Sequence, residues 1–410
     1  MSPTVTGAPV LLGPPPPLVR RDRMVVIWVL AVTVSWFGDA MWTVALAWTA
    51  AHTLSPAMAG AVIGLETLPA AALVLVGGVL ADRFDTRRVL VFGQLAQALV
   101  MVVGAIAWTA GYQGATTLVV LAVSFGVSVG LTLPAGMTLV RQLVREEDLG
   151  TVSGWNNVAV RVARLLGAPA GGLLVAWRGP AAPMLLNAVT FLTIAATLAL
   201  VVRPRYRIPR TPAPVLASLS DGLGYLRSTP AARLLVIGLT GLNVFVTPAV
   251  ALGVALGVSR SGWGSTWLGL AEGALAAGAI VGSLLAIRHR PPRPAQRSFG
   301  VLLVQAVAIV GIGIGDRGVL VTSMAVIGLT SGLASVWLSA TFQRTVASTH
   351  LGRVSSVLLL GDRTLVPLAL PVFGALAAGA SLVTATAVFG AGMFVLCLTL
   401  ATRPSVARLR

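Results

Sequence analysis

The chain has 410 residues, 56% of them hydrophobic and only 10% charged, with a formal net charge of +17. A soluble domain is nearer one-quarter charged, so a water-soluble fold is excluded. All 29 basic residues are arginine, which excludes a P-loop and its phosphate-binding lysine.

Apolar runs of about twenty residues recur from Met24 to Ala401. A run of that length crosses a bilayer as a helix, whereas a barrel strand is about half as long and alternates in polarity. The expected fold is an all-α polytopic membrane protein with twelve transmembrane helices in two six-helix pseudo-symmetric bundles.

In chain order, a disordered cytoplasmic tail is expected over 1–23, rich in proline at Pro14 to Pro17 and closed by Arg20, Arg21 and Arg23. A first bundle follows over 24–202, with spans at roughly 24–50, 56–80, 89–110, 116–140, 151–176 and 183–202. A cytoplasmic linker occupies 203–232. Its Leu216, Leu219, Leu223 and Leu226 share one helical stripe, the pattern of a helix lying in the interface. A second bundle covers 233–402, with spans at roughly 233–257, 265–287, 298–315, 319–342, 353–378 and 381–401. A cytoplasmic tail, 403–410, ends the chain.

The arginines sort by side. The two ends and the loops after even-numbered spans carry 23 of them, the loops after odd-numbered spans only Arg178, Arg260 and Arg317. The positive-inside rule places the rich side, with both termini, in the cytoplasm. The basic charge therefore reads as membrane orientation, with no nucleic-acid partner.

The halves repeat. Shifted by 202 residues, Leu149–Ala176 overlies Leu351–Ala378, matching Arg161 to Arg363 and Pro169 to Pro371. "LADR" (80–83) likewise echoes "LAIR" (285–288), which puts Glu272 within one residue of the place equivalent to Glu66. Two related six-helix units around a central site are the plan of a secondary transporter.

A charge at mid-span costs about 2.5–3.5 kcal/mol on insertion scales and marks a functional candidate. Asp39 in span 1, Glu66 in span 2, Glu272 in span 8 and Asp362 in span 11 qualify, against Arg161 and Arg164 in span 5 and Arg363 in span 11. Glu66 lies about 16 Å along its helix from Ser55, near the bilayer centre. A carboxyl group away from water exchanges a proton near neutral pH, as proton-coupled transport requires. For Arg161 and Asp362 a purely structural role, pairing helices together, stays open. Asn157, Arg161 and Arg164 share a stripe suited to a polar cavity. Asn156, Asn187, Asn243, Gln94, Gln97 and Gln305 read as helix–helix hydrogen bonds. Trp36, Trp42 and Trp48 serve either an apolar pocket or packing and interface anchoring.

The lone cysteine, Cys397, reads as a packing residue and excludes an intrachain disulfide. His52, His289 and His350 fall in loops, apart from one another, so no zinc site is expected. No catalytic residues, cofactor or metal are expected, with protons as the coupling ion.

The turn after span 2, "GVLADRFDTRR", resembles the G-x-L-A-D-R-x-G-R-R signature of the major facilitator superfamily. Gly78, Leu80, Ala81, Asp82, Arg83 and Arg87 match; Asp85 and Thr86 replace a glycine and an arginine, and Arg88 ends the cluster. "DRFD", "RQLVREEDL", "ARLLGAPAGG" and "LLNAVTFL" resemble the branch of enterobactin exporters and macrolide-efflux proteins. Span 5 is similar to the G-P-x-x-G-G motif of drug antiporters at Gly167, Pro169, Gly171 and Gly172, with Ala168 in the proline's place and the bend moved one residue. The resemblance implies a cytoplasmic gate in which Asp82 docks against the start of helix 11, near Gly352 to Ser355. It also implies a monomer in the cell inner membrane that exports an amphipathic small molecule such as a drug, antibiotic or siderophore by proton antiport. Proton-coupled uptake of a nutrient is the alternative, and an integral membrane enzyme or structural protein a remote one. The sign of the substrate's charge stays open.

Overall fold

The structure, a computed structural model, describes residues 10–11, 17–207, 215–289, 291–347 and 349–407. Among them, twelve helical stretches are long and apolar enough to cross a membrane. The expected all-α, two-times-six architecture is present.

The first half is built from α1 (Arg23–Thr53), α2 (Pro56–Leu65), α3 (Leu68–Arg83), α4 (Thr86–Thr109), α5 (Ala115–Leu143), α6 (Leu149–Arg178) and α7 (Ala181–Leu200). A connecting helix, α8 (Val215–Ser228), leads to the second half. That half comprises α9 (Pro230–Pro248), a π-turn at Ala249–Gly253, α10 (Val254–Arg260), α11 (Ser265–Arg288), α12 (Pro294–Gly311), α13 (Arg317–Thr345), α14 (Leu351–Gly379) and α15 (Leu382–Thr402). A final short helix, α16, spans Pro404–Ala407.

Local chemistry sets the helix starts. The first backbone N–H groups of a helix lack internal partners. Asp22, Ser55, Asp85, Asp316 and Ser381 supply side-chain oxygens to them at the starts of α1, α2, α4, α13 and α15. Asp85 replaces the glycine of the family signature, and its Oδ1 accepts from the Arg88 N–H at 2.9 Å. The turn thus gains a cap where the family signature has a glycine.

Two spans read as continuous are interrupted. Span 2 breaks at Glu66 and Thr67, between α2 and α3. Pro69 has no N–H to offer the Leu65 carbonyl, so the helical ladder lapses there. The Glu66 and Thr67 amides bond instead to Ile63 and Gly64 carbonyls, at 3.3 and 3.1 Å. Span 7 passes through the π-turn directly after Pro248.

Much of the sequence expected as a disordered tail, 1–23, lies outside the described residues. Where described it is ordered: Val10–Leu11 (β1) pairs antiparallel with Tyr206–Arg207 (β2), and Val19–Arg21 forms a helical turn. Asp22 is buried and ion-paired with Arg205. In the linker, the Leu216 and Leu219 side chains lie outside the described residues. Leu223 is exposed and Leu226 is buried against the second half's core.

Glycine lets the halves approach closely. At Gly60 and Gly64 of α2 an added Cβ would run into the Leu370 and Pro367 carbonyls of α14. At Gly269 and Gly273 of α11 it would meet the Ala168 carbonyl and the Pro169 ring of α6, with the Leu165 carbonyl next. Each pair is a G-x-x-x-G step, the spacing that brings helix backbones together in membranes. The two interfaces are copies of one another. Ala168 and Leu370, like Leu165 and Pro367, are related by the offset of 202, whereas Gly60 to Gly269 and Gly64 to Gly273 require 209 (269 minus 60). The same offset relates Glu66, packed under Gly126, to Leu275, packed under Gly328. The LADR/LAIR echo implies an offset of 205 instead. It is in error by one helical turn in this region, and Leu275, not Glu272, holds the place equivalent to Glu66.

Candidate functional site

All these glycine contacts lie from mid-span to the arginine-poor ends of the helices. That end is closed further by Gly374 against the Pro56 carbonyl, Ser265 Oγ donating to the Gly172 carbonyl at 2.8 Å, and His52 Nδ1 at 3.2 Å from Ser259 Oγ. Toward the arginine-rich end, a Cβ at Gly78, Gly150, Gly154 or Gly352 would have no atom within 4 Å. The halves are joined at the arginine-poor end, and these four positions toward the arginine-rich end are open.

Polar residues within the spans form two groups. In the first, span 1 supplies Asp39, span 2 Glu66, span 5 Arg164 and span 8 Glu272. Arg164 acts electrostatically on both Asp39 and Glu272, and Asp39 acts on Glu66, so the four form one charge cluster. Asn187, fully buried in α7, donates to Asp39 Oδ1 at 3.5 Å, and Thr190 Oγ1 donates to the Asn187 side-chain oxygen at 2.9 Å. Gly38 leaves the space that lets α7 present this amide. Glu66 sits at the break made by Pro69, where its Oε1 accepts from the indole N–H of buried Trp42 at 2.9 Å. The second group is in the other half: Asn243 donates to Asp362 Oδ2 at 3.0 Å, with Arg363 adjacent.

Arg161 pairs with no acid among the described residues. Its Nη1 donates to the Ala279 carbonyl of α11 at 3.0 Å, bridging spans 5 and 8. Asn157 and Arg164, on the same stripe, are exposed, as a cavity-lining face requires. Gln305 accepts from Thr330 and Ser331 at 3.0 and 3.2 Å, a helix–helix contact. The side-chain oxygens of Gln94, Gln97 and Asn156 are buried with no hydrogen-bond partner among the described residues.

The signature turn is spread out in this conformation. Arg87 donates to the Leu198 carbonyl at 2.5 Å and also to Ala199, capping the end of α7. Arg83 and Arg88 are exposed. The Asp82 side chain lies outside the described residues. The start of α14, where the family pattern implies Asp82 docks, is held by the linker: Asp221 pairs with Arg353 at 3.3 Å, and Tyr225 accepts from the Ala347 N–H at 3.1 Å and stacks on His350. In span 5, Gly167, Gly171 and Gly172 are buried against α1 and α11, and Pro169 lies inside α6.

Sequence reasoning missed the Trp42–Glu66 bond and the interhalf glycine steps. Pro69 and the two G-x-x-x-G spacings were the available signals. Of the histidines, His52 lies in the last turn of α1 instead of a loop, is exposed and stacks on Trp48. No group of three metal-ligating side chains occurs among the described residues. Cys397 is buried, as expected of a packing residue.

The family profile of the Major Facilitator Superfamily matches residues 28–363. No curated protein gave a sequence match. Among solved structures, the nucleoside transporter NupG is 12% identical with a TM-score of 0.72, covering 92% of this chain and 98% of its own. A POT family transporter in complex with a thioalcohol-conjugated peptide is 14% identical with a TM-score of 0.72, covering 95% and 99%. A bacterial homolog of the human lysosomal transporter Spinster, in an inward-facing and occupied conformation, is 15% identical with a TM-score of 0.68, covering 94% and 96%. At these identities the likeness is one of fold.

Proposed function

From the premise that this chain belongs to the Major Facilitator Superfamily, we propose that it is a proton-coupled antiporter that exports an amphipathic organic cation from the cytoplasm. The carrying observation is the cluster in which Arg164 acts on Asp39 and Glu272, and Asp39 in turn on Glu66. Three carboxyl groups outnumber one guanidinium, and Arg161 is spent on a backbone carbonyl. A positively charged substrate and protons compete for the carboxylates, which is the requirement for exchange.

The positive-inside rule makes the open end cytoplasmic, so this conformation faces inward, with both termini in the cytoplasm of a cell whose inner membrane holds the protein as a monomer. Binding at inward-facing acids, a swing of the halves and discharge at the other side complete one cycle. Asp82 is the latch that closes the cytoplasmic end in the opposite state by replacing Asp221 near the start of α14. Uptake of a nutrient by the same acids is the alternative.

Everted vesicles loaded with the protein should accumulate tetraphenylphosphonium when their interior is acid, and purified protein should release protons on binding it, less so as pH rises. Preference for an anionic probe, or accumulation only in right-side-out vesicles, would overturn this reading in favour of anion transport or uptake.

A further inference from the structure

We propose that span 2 moves as two bodies joined at Glu66, with α2 travelling with the second half, α3 with the first, and Trp42 positioning the pivot. This rests on the reading above only in that the halves must part at the arginine-poor end during the cycle.

By sequence α2 belongs to the first half, yet it packs most closely on α14 of the second. The contacts are backbone to backbone: Gly60 on Leu370, Gly64 on Pro367, and Gly374 on Pro56 and Ala57. Its contacts with α1 and α5, in its own half, are each much smaller. For α3 the order reverses: it lies along α5, through Gly130 against Ala70 and Gly77 against Gly130 and Leu131, and barely meets α14.

The junction between these two allegiances is the break at Glu66 and Thr67, where Pro69 has removed a ladder hydrogen bond. Hinges absorb motion at helix termini of this kind. The junction itself is fixed to the first half twice over. Trp42 of α1 holds the Glu66 side chain, and Gly126 of α5 receives the Glu66 carbonyl against its Cα. A bend on this point moves α2 without moving the carboxyl group. The charged group that acts on it is Asp39, which Arg164 acts on in turn.

Span 8 holds the equivalent place and lacks these features. It runs unbroken from Ser265 to Arg288, with Leu275 where span 2 has Glu66, and interlocks with α13 of its own half through Gly278, Gly282, Gly328 and Gly332. It leaves its partner α6 as a rigid rod.

The test reads distances between spin labels in a Cys397→Ala background. Gly172→Trp wedges the span 5–8 contact and opens the arginine-poor end without touching span 2; Gly269→Trp does so from the other side. The opened variant is the one in which labels at Tyr112 and Ala380, one in each half, move apart. In that variant a label at Met58 of α2 should keep its distance to Ala380 and lengthen its distance to Tyr112. Adding Pro69→Ala, which restores the missing donor, should reverse this. A Met58–Tyr112 distance that stays fixed while Met58–Ala380 lengthens, with Pro69 intact, means that span 2 swings as one rod and overturns the proposal. No substrate or proton gradient is needed, so a failed hinge is told apart from a failed coupling role of Glu66.

Discussion

Spans 2 and 8 are the same element used twice, and they differ where it counts. Both carry a G-x-x-x-G step that packs against a proline-containing helix of the other half. Span 8 is continuous and apolar at Leu275; span 2 is broken and carries Glu66 on an indole donor. The two spans share the glycine contact, and only span 2 has the proline and the acid at the equivalent place. The symmetry belongs to the interhalf contact and the asymmetry to the acid.

The largest expected effect breaks this comparison outright. Glu66→Gln should lower concentrative transport by about 100-fold, near 2.7 kcal/mol of driving interaction, while leaving downhill leak of substrate. Leu275→Gln, its counterpart, should leave concentrative transport within about threefold of wild type. Proton release on binding, measured in detergent, separates them. Equal release from wild type and Glu66→Gln would pass the coupling role to Asp39, Glu272 or Asp362.

Next in size is the latch. Asp82→Asn should insert normally and transport about tenfold more slowly, since a gate that loses a charge-assisted bond loses roughly 1.5–3 kcal/mol. Near-normal rates would reduce the signature to a topology signal.

Trp42→Phe keeps the buried ring and removes only the indole N–H. A hydrogen bond to a charged group contributes about 1.5–3 kcal/mol at most, so proton release should move along the pH axis and transport fall severalfold, with thermal stability nearly unchanged. A loss of stability with an unmoved pH profile would make Trp42 a packing residue.

The smallest effect concerns the turns that follow the two spans. Asp85 caps α4, whereas Arg293 offers α12 no side-chain cap and Pro294 starts that helix. Asp85→Ala should cost about 1 kcal/mol of stability, read as a lower melting temperature, and leave transport rates alone. Asp85→Gly, which restores the family residue, should cost less.

How much of this was legible in the chain follows from the range of the forces involved. Hydropathy is a local property, so twelve spans could be read to within a few residues at most ends, and the arginines sorted the two sides. A charge in lipid is costly wherever it sits, so Asp39, Glu66, Arg164 and Glu272 stood out before any contact was known. The 202-residue repeat exposed the two halves because Pro169 and Pro371, and Arg161 and Arg363, are rare in such helices. What the tertiary structure decided was pairing. A one-turn error in matching span 2 to span 8 is invisible along the chain, because Gly and Ala recur at every turn; only Gly126 under Glu66 and Gly328 under Leu275 fix the register. Arg161 and Arg164 are equal in sequence, yet one is spent on the Ala279 carbonyl and the other is shared by two acids. Pro69 could be seen in the sequence, but whether its missing N–H bends a helix or splits its allegiance depends on what lies on either side, and that is set by packing between helices far apart in the chain.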